Sequence, residues 1–262
     1  MKVVLLAGGL GTRISEESHL RPKPMIEIGK YPILVHIMRI YSHFGFKDFV
    51  ICAGYKQQII KEYFANFSIY TNDCCFDFLN NKVDTYNTPK FDWKVIVADT
   101  GQKTMTGGRI KRVKNYIGNE TFLLTYGDAV GDIDINDVIK SHRESGKLAT
   151  ICVYNFGQTK GIVEIDSSGI VKQFREKANN DGDLINIGYM VLEPEVLDFI
   201  SGDECVFEKD VLEKLASIGQ LNAYVHRGFW QCMDTLREKE KLERLDSSDE
   251  APWKVWKQYV GR

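Results

Sequence analysis

The stretch Lys2-Val3-Val4-Leu5-Leu6-Ala7-Gly8-Gly9-Leu10-Gly11-Thr12-Arg13 decides the fold. Its first half is a continuous apolar run with no polar alternation. That pattern reads as a strand buried on both faces, as in a parallel sheet. Its second half places three glycines within four positions directly behind that strand. Backbone N–H groups in such a loop can approach phosphate oxygens without interference from Cβ atoms. Taken alone, the loop reads equally well as a tight turn and as a phosphate cradle.

Outward from this stretch, strand and helix signals alternate. Helical spacing marks 32–44, stopped by Gly45, and then 57–67, 108–117 and 135–145, the last capped by Asp134 and ended by Gly146. Buried strands fall at 2–7, 49–52, 95–98, 122–125 and 149–154. Beyond residue 160 the pattern changes to a hairpin, 162–165 with 170–174 across Asp166-Ser167-Ser168-Gly169. A strand at 185–192, helices at 195–200 and 210–218, a strand at 221–226 and a charged helix at 235–245 follow.

The expected fold is therefore α/β: one Rossmann-like domain spanning 1–262, with a mostly parallel mixed sheet flanked by helices and a smaller β subregion. No Pro- or Gly-rich linker divides the chain. Residues 68–93 fit neither period; their aromatics favour an ordered flap or a subunit contact. Ligands of such sheets bind beyond the carboxyl ends of the strands.

The 262 residues, 44% hydrophobic and 27% charged, have the composition of an ordinary globular chain. A formal charge of −2 supplies no basic field for gripping nucleic acid. The N-terminal apolar run is too short for an export signal and no window reaches the length of a membrane span, so a cytoplasmic protein is expected. Six cysteines without paired spacing read as reduced thiols, and five histidines without ligand spacing argue against structural zinc.

The glycine loop is neither of the two familiar nucleotide motifs. Gly9-Leu10-Gly11-Thr12-Arg13-Ile14 lacks the last glycine of a dinucleotide fingerprint, and the loop lacks the Gly-Lys-Ser/Thr end of a P-loop. A short way on, Arg21-Pro22-Lys23-Pro24-Met25 holds a lysine between two prolines, which restrict where its ammonium points.

Together, Gly8-Gly9-Leu10-Gly11-Thr12-Arg13 and Pro22-Lys23-Pro24-Met25 resemble the two-part signature of the sugar-1-phosphate nucleotidyltransferases. Over the rest of the chain the resemblance is to the branch that uses CTP and glucose 1-phosphate. It runs through Ile26-Glu27-Ile28-Gly29, Thr104-Met105-Thr106-Gly107-Gly108-Arg109, Tyr126-Gly127-Asp128, Gly228-Phe229-Trp230 and Met233-Asp234-Thr235-Leu236-Arg237.

The resemblance implies in-line attack of a sugar-phosphate oxygen on the α-phosphorus of a triphosphate, with pyrophosphate leaving and no protein nucleophile. It makes 1–155 the nucleotide-binding half and 156–240 the sugar-binding half. Arg13 and Lys23 are then the catalytic cations, Arg13 on the β- and γ-phosphates and Lys23 between the α-phosphate and the incoming sugar phosphate. Leu6, Ala7, Gly8, Gly9, Gly11, Thr12, Thr104, Gly108, Arg109 and Asp128 would contact the nucleotide. Asp128 and Asp234 would hold Mg2+, which takes one or two carboxylates with substrate phosphates.

Glu176, Lys177, Asn186 and Gly188 match the stretches that contact the sugar phosphate. One departure is Ala178, where relatives commonly carry proline after the Glu-Lys pair. Lys111, Arg112 and Lys114 read most simply as the solvated face of a helix, and Asp132 and Asp134 as capping or surface residues. Multimers are expected from the family. Transfer of a uridylyl or thymidylyl group, or a silent nucleotide-sugar-binding protein, are the alternatives; a glycosyltransferase would not need the glycine loop with Pro22-Lys23-Pro24.

Overall fold

The computed structural model describes residues 1–86, 91–155, 162–165, 170–175 and 184–257. Seven strands form the central sheet: β1 (Val3–Ala7), β2 (Asp48–Ala53), β3 (Lys94–Asp99), β4 (Phe122–Tyr126), β5 (Ala149–Asn155), β6 (Leu184–Leu192) and β7 (Leu221–His226). Their spatial order is β7-β5-β6-β4-β1-β2-β3. Every neighbouring pair is parallel except those made by β6, which runs antiparallel to both β4 and β5. The sheet is thus mixed and mostly parallel, as the strand pattern implies.

The unbroken apolar run of β1 follows from its central place. Val3, Leu5 and Ala7 face one core with helix α1 (Ile33–His43), while Val4 and Leu6 face a second core with Ile110 and Phe207. Both faces are dry, so no position of the strand can be polar. The first core also takes Ile60 from α2 (Gln57–Ala65), Val138 from α4 (Ile135–Ser145), Leu242 from α5 (Leu236–Ser247) and Trp253. The second is closed by α3 (Thr106–Arg112), Val196, Leu197 and Leu215.

From β1 the chain builds outward through β2 and β3, then returns to the other side of β1 as β4. That reversal opens a crevice between the carboxyl ends of β1 and β4, the usual ligand position of an open α/β sheet. The glycine loop and Tyr126-Gly127-Asp128 stand on its two sides.

Several local expectations are corrected. The helix expected over 108–117 starts earlier, at Thr106, and breaks at Val113 before a last turn, Lys114–Ile117. Its basic residues are exposed, as expected of a solvated face, and make pairs there: Lys111 donates to the carbonyl of Ser201 at 3.2 Å and also to that of Ile200, Arg112 pairs with Asp203, and Lys114 lies 3.5 Å from Asp198. The helix expected over 210–218 begins as a π-helical turn, Phe207–Leu212, and continues as Glu213–Ser217. The expected helix over 195–200 is a 3-10 turn, Pro194–Phe199.

Residues 68–93, which carry no regular period, contain a hairpin of Asp73–Asp77 with Lys82–Tyr86. The Asp77 carboxylate accepts from the N–H groups of Leu79 and Asn80, and Asn81 takes the left-handed φ of +51° that closes the turn. Ile162–Ile165 pairs with Val171–Arg175 as expected, while the turn 166–169 lies outside the described residues. All six cysteines are free thiols. Among the described residues no helix is long and apolar enough to cross a membrane.

Candidate active site

A cavity of about 440 Å3 lies over the ends of β1 and β4. It is lined by the glycine loop, Arg13, Lys23, Thr104 to Thr106, Arg109, Tyr126 and Asp128. The loop folds as its glycines dictate. Gly11 takes φ +65°, and a Cβ there would stand 3.1 Å from both Lys23 Cβ and Ser18 Cβ. At Gly127 a Cβ would meet the Leu6 carbonyl at 2.8 Å and Pro24 Cγ at 3.0 Å. The two strand ends and the Lys23 turn therefore approach closely only because glycine stands at these points.

Lys23 begins a 3-10 turn, Lys23–Met25, entered from the extended Pro22. Its side chain is buried, 8% exposed, and its Nζ donates to Asp128 Oδ2 at 2.6 Å and to Asp234 Oδ1. Burial alone would lower the pKa of this ammonium; the charges and hydrogen bonds of Asp128 and Asp234 outweigh it and hold the group above the ordinary lysine value. Arg13 is 72% exposed and donates from Nη1 to Asp234 Oδ2 at 2.5 Å. Two cations and two carboxylates thus share one network, and the more exposed Arg13 has the freedom to turn toward a ligand.

Asp234 is aimed by the start of α5. Thr235 caps that helix in a reciprocal capping box with Glu238, and Glu238 Oε2 also accepts the Asp234 N–H at 2.7 Å. No group of three or more potential metal ligands occurs among the described residues. Asp128 and Asp234 nevertheless converge on one ammonium, which tests their fit to a cation directly. A hard divalent ion needs one or two carboxylates, with phosphate and water oxygens completing its shell, and this pair satisfies that demand.

Arg109 is 5% exposed, and its guanidinium donates to two backbone carbonyls and a threonine hydroxyl. Nη2 donates to the Gly8 carbonyl at 3.0 Å; Nη1 donates to the Gly101 carbonyl at 2.7 Å and to Thr100 Oγ1 at 2.8 Å. It braces the first glycine of the loop against the segment after β3. A Cβ on Gly8 would fall 2.1 Å from Nη1, so the brace requires that glycine. Gly108 packs against Asp203, where a Cβ would meet its Cα at 2.6 Å.

On the other side, Asn186 and Gly188 lie on β6. Gly188 has φ +81°, and the Tyr126 ring occupies the space a Cβ would need, at 2.2 Å. Asn186 Oδ1 accepts from Gly188 N–H at 3.0 Å, and its Nδ2 faces Tyr126 OH at 3.5 Å. Glu176 and Lys177 lie outside the described residues. Two further residues shape the cleft without a signal of their own in the sequence: Tyr126, within Tyr126-Gly127-Asp128, and Glu208, whose charged surroundings resemble any helix surface. Asp134 caps α4 as expected, while Asp132 accepts the Phe229 N–H at 2.7 Å and lies 3.1 Å from His226 Nε2.

A family model described as nucleotidyl transferase matches residues 2–237. The glucose-1-phosphate cytidylyltransferase of Salmonella typhi is 48% identical over 257 residues, 98% of this chain and 100% of that protein. A probable glucose-1-phosphate cytidylyltransferase of Bacillus subtilis (strain 168) is 39% identical over the same shares. Among solved structures, HddC from Yersinia pseudotuberculosis superposes with a TM-score of 0.67 at 25% identity, covering 93% of this chain and 98% of that one. A match of this extent, on a chain whose glycine loop, Lys23 and paired aspartates meet in one cleft, places the protein in the nucleotidyl transferase family.

Proposed function

We propose that this chain transfers a cytidylyl group from CTP to α-D-glucose 1-phosphate, giving CDP-glucose and pyrophosphate. The observation that carries the reading is the convergence of Lys23, Asp128 and Asp234 at the mouth of the glycine loop, in a chain whose whole length aligns with cytidylyltransferases.

Both substrates are anions, so the first task is to bring like charges together. The glycine loop offers backbone donors to the triphosphate, and exposed Arg13 offers a planar fork to its outer phosphates. Lys23, held charged by its two carboxylates, is assigned to neutralise the α-phosphate and the incoming sugar phosphate. Its 3-10 turn and the flanking prolines limit how far the ammonium strays, so less freedom is lost when substrate arrives. Asp128 and Asp234 would hold a magnesium ion, which when bound supplies charge neutralisation on the phosphate oxygens. Asn186, with Glu176 and Lys177, is assigned to the sugar phosphate. The reaction is read as cytoplasmic.

The test is to supply glucose 1-phosphate and magnesium with CTP, UTP, dTTP, ATP and GTP in separate reactions and follow pyrophosphate. Release with CTP alone is expected. Release with UTP or dTTP instead reassigns the base, and no release with any triphosphate removes the enzymatic reading.

A further inference from the structure

A hydrogen-bonded chain joins the two ends of the cleft through a residue that does not line it. Glu208 sits in Phe207–Leu212, the single π-helical turn of the described residues. Such turns are rare and often found at functional sites. The carboxylate is partly buried, and each oxygen accepts one hydroxyl: Oε2 takes Thr106 Oγ1–H at 2.7 Å, and Oε1 takes Tyr126 O–H at 2.7 Å. Thr106 Oγ1 itself accepts from the Phe207 N–H at 2.9 Å. The Tyr126 oxygen, its proton directed to Glu208, turns a lone pair toward Asn186 Nδ2 at 3.5 Å.

The direction of this chain depends on a carboxylate. An ionised carboxylate only accepts, so both hydroxyls must aim their protons at it. Burial raises the pKa of the Tyr126 phenol, and the charge and hydrogen bond of Glu208 raise it further, so it remains a donor. Thr106 opens α3 on the nucleotide side, and Tyr126 ends β4 beside Gly127 and Asp128. Both line the cavity.

We propose that Glu208 is a positioning residue for the reaction: it orients Tyr126 and Thr106 so that the nucleotide end and the sugar-phosphate end of the cleft stay in register. This rests on the cytidylyl-transfer reading above. Replacing Glu208 by glutamine keeps the shape but adds a donor. Because Thr106 already accepts from Phe207, the amide oxygen is drawn to Thr106 and the NH2 group faces Tyr126. The Tyr126 proton is then turned toward Asn186, where an amide proton already points. The sugar side should suffer most.

Steady-state kinetics on Glu208→Gln, Tyr126→Phe and the double variant test this, with thermal melting as the check on folding. In Glu208→Gln, kcat/KM for glucose 1-phosphate is expected to fall about tenfold, with its KM rising more than that for CTP. The double variant should be no worse than Glu208→Gln by more than about twofold, since both substitutions remove one coupled interaction. Fully additive losses, or a sugar-phosphate KM equal to that of the wild type, overturn the proposal. Should Glu208→Gln fail to fold, Tyr126→Phe carries the test alone, and an unchanged sugar-phosphate KM there overturns it. Wild-type protein in the same assay separates the two ideas. If it forms no CDP-glucose, the functional reading falls and the positioning role with it; if it does and the variants match it, only the role of Glu208 falls.

Discussion

Nζ of Lys23 lies 2.6 Å from Oδ2 of Asp128, and the same ammonium reaches Asp234, so one buried cation gathers two carboxylates from distant segments. This arrangement keeps Lys23 charged and keeps the carboxylates close enough to serve one metal ion.

Lys23→Ala is expected to lower turnover by at least about a thousandfold, because charge developing on the reacting phosphates loses its preorganised partner. The fold should persist, since Asp128 and Asp234 keep 28% and 21% of their side chains in contact with water. Pyrophosphate release and a thermal melt check both halves; near-normal turnover would remove Lys23 from the mechanism.

Chelation of divalent ions should stop pyrophosphate release, and added magnesium should restore it. Asp128→Asn and Asp234→Asn should each raise the magnesium concentration for half-maximal rate by about tenfold or more, as expected when one of few hard ligands is lost. A magnesium titration identical to that of the wild type in both variants would refute the pair.

Arg109→Lys should destabilise the protein by about 2–4 kcal/mol, measured by urea unfolding. One ammonium cannot replace donors placed on Gly8, Thr100 and Gly101 together, so charge-assisted hydrogen bonds beside the glycine loop are lost. The same variant should raise the KM for CTP through the loosened glycine loop. An unchanged unfolding midpoint would show that the brace contributes nothing.

His36 predicts a pH dependence of stability. The ring is buried; its Nε2 meets the Ile28 carbonyl at 2.9 Å and its Nδ1 accepts the Trp253 indole N–H at 3.2 Å. That pairing fits the neutral ring protonated on Nε2. Burial lowers its pKa to about 4, from the usual 6.5. The unfolded chain therefore binds a proton that the folded ring refuses. Stability is complete above about pH 6.5 and should decline by about 1.4 kcal/mol per unit as pH falls toward 4. His36→Gln should flatten urea-unfolding profiles over that window, and a profile as steep as the wild type's would assign the acid sensitivity elsewhere.

Much of this architecture is legible along the chain. The continuous apolar run of β1 and the glycines behind it mark a doubly covered central strand opening into a ligand crevice, and Asp134 with Gly146 delimits α4. The hairpin of Asp73–Asp77 and Lys82–Tyr86 was not legible, because Phe76 and Val83 remain about half exposed and no buried face imposes alternation. The basic residues after Arg109 are exposed as a linear reading expects, but their partners are not visible in it, because the acceptors at Asp198, Ser201 and Asp203 lie far along the chain.

Local rules account for the alternation of buried strands and amphipathic helices, the turns that need glycine, the stiffened lysine and, through its two-part signature, the family. Long-range proximity came from the packing of the folded chain. It brought Asp128 and Asp234 to one ammonium, made Arg109, which lines the cavity, also a brace for Gly8, and joined Thr106, Tyr126 and Asn186 through Glu208. The reason is physical. Backbone conformation and burial pattern are set by neighbours a few residues away, whereas a hydrogen bond requires two atoms within about 3 Å, whatever their separation in sequence.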